Sequence, residues 1–137
     1  MENALALLLP TYNINHMNKA FYLSTCSTCK KILKEAPLPK EMILQDIKTN
    51  KLSREQLEEM KDLAGSYEAL FSKRAMKYKS MNLKEKSLSE EDYKKLILDE
   101  YTFLKRPVFI VNDNIFIGSE SKTVEGLSNF LKQRQVE

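Results

Sequence analysis

Glycine is scarce, with three residues in 137. A loop that cradles phosphate with repeated glycines cannot be built from so few, so that mode of nucleotide binding is excluded. Cysteine and histidine are as rare, at two and one. A closed structural zinc site usually takes four such ligands, which this chain does not supply alone. No apolar run approaches the roughly 20 residues that cross a bilayer. The stretch Ala4-Leu5-Ala6-Leu7-Leu8-Leu9 follows Glu2 with no basic residue before it and stops at Pro10. It lacks a small-residue cleavage site and does not read as an export signal. Charge of one sign is missing too, because a net +3 is too weak to argue for nucleic acid by itself. Repeats, low-complexity tracts and long linkers are absent.

The remaining composition, 42% hydrophobic and 30% charged, suits an ordinary soluble globule. A chain of this length buries a core without metal or disulfide staples. Residues 1–16 read as an extension without stable structure, and 17–137 as a single domain with a helical insertion at about 53–101. His16 falls in the extension and reads as a tail residue. Without an export signal the expected location is the cytoplasm, where a pair of cysteines is more often catalytic or regulatory than structural.

Hydropathy spacing predicts a strand over about 20–23 and a helix from the cysteines to about Lys34, closed by Pro37 and Pro39. Met42–Ile47 reads as a second strand. Ser53 with Gln56 makes a capping box before a helix carrying Leu57, Met60, Leu63 and Ala64 and ending at Gly65. Ser66 caps a short helix with Tyr67, Leu70 and Phe71, and a further turn falls near 75–80. Ser89 caps a helix whose first turn, Glu90-Glu91-Asp92, suits the positive end of the dipole. Its inner face is Tyr93, Leu96, Ile97 and Tyr101, read as core. Strand 107–111, a turn at Asn112-Asp113-Asn114 and strand 115–118 form a hairpin. The last helix spans about 122–134, with Val124, Leu127, Phe130 and Leu131 inward. The order β-α-β, helical insertion, β-β-α makes a mixed α/β sheet of four strands flanked by helices.

The two cysteines, Cys26 and Cys29, stand where the first strand becomes the first helix. A thiol there meets unpaired N–H groups and the positive end of the helix dipole, which favour thiolate, the attacking form. Cys29, Ile32, Leu33 and Ala36 share one helical face, so Cys29 belongs inside and Cys26 at the mouth. Cys26 is thus assigned as attacking thiolate and Cys29 as resolving thiol, with Lys30 and Lys31 adding positive charge. Half of a zinc site, a structural disulfide over a loop too short to gain much entropy, and two inert thiols are the competing readings. A redox CxxC in this topology points to a thioredoxin-like fold.

Four segments carry a further resemblance: Cys26-Ser27-Thr28-Cys29-Lys30, Leu70-Phe71-Ser72-Lys73-Arg74, Leu104-Lys105-Arg106-Pro107-Val108 and Ile115-Phe116-Ile117-Gly118. In this order, over roughly 19–132, the chain resembles the arsenate reductase (ArsC)/Spx family of thioredoxin-like proteins. The resemblance implies that Cys26 attacks arsenate or a disulfide. It implies that Arg106, beside a cis bond to Pro107, contacts an oxyanion, with Arg74 and Lys30 as further substrate contacts. No bound cofactor or metal is implied. The reductant would be glutathione or a thiol protein of the thioredoxin or glutaredoxin type, and the protein a monomer that binds neither membrane nor nucleic acid directly.

This sequence departs from the reductase pattern at Ser72, Ser119 and Lys30, where such reductases carry further arginines. Cys29 and Arg74 are more similar to Spx proteins, in which the CxxC is a redox switch and the partner is the C-terminal domain of the RNA polymerase α-subunit. A third reading keeps the fold without activity. A tetrahedral oxyanion wants several convergent guanidinium groups, and the sequence offers Arg106 and Arg74. Arg106 alternatively reads as a surface residue before a strand. The run Lys73, Arg74, Lys77, Lys79, Lys84 and Lys86, with Tyr78 inside it, reads first as a solvated face and second as a docking patch for an acidic partner.

Overall fold

The computed structural model describes residues 18–136. The predicted extension 1–16, with His16, lies outside them.

Consecutive apolar residues, buried on both faces, build the centre of the sheet. β1 (Lys19–Tyr22) runs parallel to β2 (Ile43–Asp46) and antiparallel to β3 (Val108–Val111), and β3 is antiparallel to β4 (Asn114–Ile117). The order is therefore β2-β1-β3-β4 in one four-stranded sheet. Ala20 pairs with Phe109 and Phe21 with Val108. The period of two sends neighbours to opposite faces. Ala20, Phe109 and Val111 join Ile32 of α1 (Ser27–Glu35), its C-cap Ala36, and Leu127 and Leu131 of α5 (Ser121–Val136). Phe21, Val108 and Ile110 face the other way, into a larger cluster with Leu57 and Met60 of α2 (Arg54–Ala64) and Tyr93 and Ile97 of α4 (Glu90–Asp99). The mixed α/β sheet with helices on its faces is the architecture that the element order implied.

Local signals stop and start the helices as expected. Ser53 and Ser89 each accept from the N–H three residues on, while Gln56 and Asp92 accept from the cap N–H, completing two capping boxes. Gly65, with φ 101°, ends α2 in the left-handed region open to glycine. The short α3 (Met76–Ser80) carries two exposed lysines of the basic run, Lys77 and Lys79. Lysines of that run engage acids, Lys77 with Glu100 at 3.1 Å and Lys73 with Glu68 at 3.9 Å.

Three differences from the sequence reading have a physical cause in the surroundings. The short helix expected after Ser66 is one 3-10 turn, Glu68–Leu70. It ends there because Phe71 is drawn into an extended bridge with Leu104. Tyr101 is not on the inner face of α4 but in another 3-10 turn, Tyr101–Phe103, because Glu100 breaks the helix with extended backbone. Asn114 belongs to β4 rather than to the turn, pairing with Val111. The two-residue loop closes with Asn112 at φ 57°, a conformation asparagine tolerates.

Candidate functional site

Cys26 is the N-cap of α1. It has extended backbone, and its Sγ accepts the Cys29 N–H at 3.4 Å. Its carbonyl accepts the first intrahelical bond, from Lys30 N–H at 3.1 Å. The first turn of α1 holds no acidic residue, so no carboxylate of that turn competes with the sulfur for the orphan N–H groups. The loop before it is pinned twice. Cys26 N–H donates to the Leu23 carbonyl at 2.9 Å, and Ser24 N–H donates to Asp46 Oδ1 at 3.1 Å.

The two thiols have opposite electrostatics. Partial burial raises the Cys26 value, but the Cys29 N–H, the Cys29 thiol, the Arg106 charge and the Thr28 N–H outweigh it, leaving Cys26 below an ordinary thiol. Burial pushes Cys29 up to about 11, helped by the negative Cys26 sulfur beside it. Cys29 is fully buried under α1, as its helical face predicted.

Arg106 is half-buried between buried Leu104 and buried Pro107, and the Arg106–Pro107 bond is cis, as the resemblance implied. Its Nη1 donates to the Thr102 and Leu104 carbonyls, both at 3.3 Å. Its Nε is buried without a partner. A desolvated donor left unpaired costs about 1–3 kcal/mol.

Backbone hydrogen bonds gather the distant segments. Ser72 N–H donates to the Phe103 carbonyl at 2.7 Å and Lys105 N–H to the Leu70 carbonyl at 2.8 Å, docking the Phe71-Ser72-Lys73-Arg74 segment against the Arg106 segment. Gly118 N–H reaches the Pro107 carbonyl at 2.9 Å, bringing Gly118 and Ser119 alongside. Between these segments lies an open cleft of about 740 Å³. Cys26, Thr28, Ser72, Arg74, Arg106 and Ser119 line it, with Lys73 and Lys105 adding charge and Glu68 and Glu120 opposing it.

Cys26, Arg74 and Arg106 are thus brought together, with Cys29 beneath Cys26 and Pro107 next to Arg106. Lys30 is not brought in. It is exposed one turn along α1 and does not line the cleft. Sequence reasoning missed Glu68, Glu120 and the Asp46 anchor. Their proximity to the thiol is long-range, and no local pattern announces it.

The model of the ArsC family matches residues 21–127, which include every segment of this cleft. The chain belongs to the ArsC family. Among solved structures, it is similar to an ArsC family related protein from Bacteroides fragilis (23% identity, TM-score 0.67, 80% of this chain and 96% of that one). An arsenate reductase from Vibrio cholerae superposes with TM-score 0.64 at 15% identity, over 82% of this chain and 95% of that one. An arsenate reductase (ArsC) related protein from Brucella melitensis does so with TM-score 0.61 at 17% identity, over 80% and 92%. A comparison with curated proteins finds no match. The thioredoxin-like sheet of this ArsC family chain is therefore shared at low identity. Among its described residues, no helix is long and apolar enough to cross a membrane.

Proposed function

We propose that this chain is a thiol-dependent oxidoreductase, with Cys26 as nucleophile toward a disulfide or an oxyanion such as arsenate. One observation carries the reading. Cys26 Sγ stands at the mouth of α1 in an open cleft, lowered in pKa by helix N–H groups and by Arg106. On a disulfide, Cys26 Sγ bonds one substrate sulfur and the other leaves as thiolate. Cys29 then attacks Cys26, releasing the first sulfur as a thiol and leaving a Cys26–Cys29 disulfide. Glutathione or a thioredoxin- or glutaredoxin-type thiol returns the two electrons.

On arsenate, the sulfur displaces water from arsenic, and a second thiol attacks Cys26 so that arsenite departs. Burial keeps Cys29 protonated while Cys26 is charged. Once Cys26 is bonded to substrate its charge is gone, and one of the influences raising Cys29 goes with it. Arg106 and Arg74 would hold the substrate's negative charge, with Ser72 and Ser119 as hydroxyl donors.

The test supplies arsenate, or a small organic disulfide, with glutathione and with thioredoxin as alternative reductants. Wild type should turn over at least one substrate, and Cys26→Ser should not. No turnover of either substrate, with Cys26→Ser indistinguishable from wild type, sinks the reading.

A second reading, an Spx-like redox switch, is favoured by Cys26 Sγ being the acceptor that caps α1. A Cys26–Cys29 disulfide would remove the thiolate that those N–H groups hold and change the surface beside the exposed Arg74. Its test is whether oxidised and reduced protein differ in capturing the C-terminal domain of the RNA polymerase α-subunit. Equal capture, or none, removes it.

A further inference from the structure

Arg106 does not lie beside Cys26 as a free rotor, since its Nη1 is seated on the Thr102 and Leu104 carbonyls. Those carbonyls belong to the 3-10 turn Tyr101–Phe103 and its exit. The turn in turn is shaped by Glu100. One oxygen of its carboxylate accepts from Thr102 N–H at 3.3 Å and from Thr102 Oγ1 at 2.9 Å. Its main-chain carbonyl accepts from Phe103 N–H at 3.0 Å. The other carboxylate oxygen meets Lys77 Nζ, from α3, at 3.1 Å. The Glu100 side chain is only 21% exposed, so these groups are its main surroundings.

We propose that Glu100 is a positioning residue for Arg106: through Thr102 its carboxylate fixes the carbonyl seat that holds the guanidinium beside Cys26. Glu100 itself touches neither the sulfur nor a substrate. The inference rests on the roles of Cys26 and Arg106 given above. An arginine on a flexible stem samples many rotamers unless its donors are engaged. Here both Nη1 hydrogens have acceptors, which leaves the remaining donors in a fixed place. Their steering depends on where the 102 carbonyl points, and that direction is set by the turn Glu100 caps. A role as helix terminator alone would not require the carboxylate to reach Thr102, because the extended backbone already ends α4.

The experiment reads the alkylation rate of Cys26 at neutral pH by mass spectrometry, with a thermal melt of each variant. Arg106→Met should slow alkylation about three- to tenfold, since a nearby opposite charge favours the thiolate. Glu100→Ala should reproduce most of that loss. Glu100→Gln, which keeps an oxygen for Thr102, should restore most of the rate. The double variant Glu100→Ala with Arg106→Met should be no slower than Arg106→Met alone, because the two act through one group. Thr102→Val, a gentler change should Glu100→Ala not fold, should slow alkylation in the same direction by less. Equal slowing by Glu100→Ala in both backgrounds, or none in wild type while Arg106→Met is slow, overturns the positioning role alone. An unchanged rate in Arg106→Met overturns Arg106's role and this inference together.

Discussion

Two sulfurs three residues apart in sequence meet opposite surroundings, and their reactivities should separate accordingly. Cys26 lies below an ordinary thiol, so its thiolate persists as pH falls and is lost only through that lowered value. Cys29 stays protonated until pH rises toward about 11. At neutral pH, limited iodoacetamide should therefore label Cys26 first, and peptide mass spectrometry should find Cys29 unmodified until the protein is denatured. Labelling of both at similar rates in the folded state would contradict this assignment. At this scale the sequence was readable where chemistry follows helical position. The face shared with Ile32 put Cys29 inside, and the strand-to-helix junction put Cys26 at the mouth. Lys30, expected as a substrate contact, lies outside the cleft lining, because adjacency along a helix is not adjacency in space. Its side chain leaves α1 toward solvent, and Arg106, from another part of the chain, supplies the cation.

Helix ends were the most legible elements, because a cap is decided within four residues. Ser53→Ala and Ser89→Ala each remove a side-chain acceptor from a closed capping box. Each should cost about 1 kcal/mol, the usual loss for such a cap. The double variant should lose the sum, since the two boxes share no partner. Urea unfolding with an unchanged m-value is the measurement, and a loss near zero at either site would show that the box contributes nothing. Elements shaped by distant partners were harder to read. The 3-10 turn after Ser66 forms where the Glu90 carboxylate takes the Tyr67 and Glu68 N–H groups at 2.7 and 3.2 Å, and where Phe71 must extend to meet Leu104. Neither partner is visible in the spacing of that segment.

At the scale of the molecule, Phe71 is the joint between the two basic segments of the cleft. Its ring stacks on Phe103 at 4.9 Å and 18°, and lies 4.9 Å from Tyr93 and 6.0 Å from Tyr78. Phe71→Ala should cost about 3–5 kcal/mol, through lost burial and the cavity left behind. Chemical denaturation would reveal it, and a loss under about 1 kcal/mol would mean that the joint collapses to refill the space. The four sequence segments were quotable from the chain, but what draws them together was not, because main-chain hydrogen bonds carry no side-chain signature. Cys26 follows the end of β1 and Arg106 precedes the start of β3, strands that lie side by side and run in opposite directions. A ribosome therefore releases the cysteines long before it adds the arginine. During synthesis the groups of α1 that lower Cys26 belong to the early segment, and the Arg106 charge joins them when the late strand closes onto the early one.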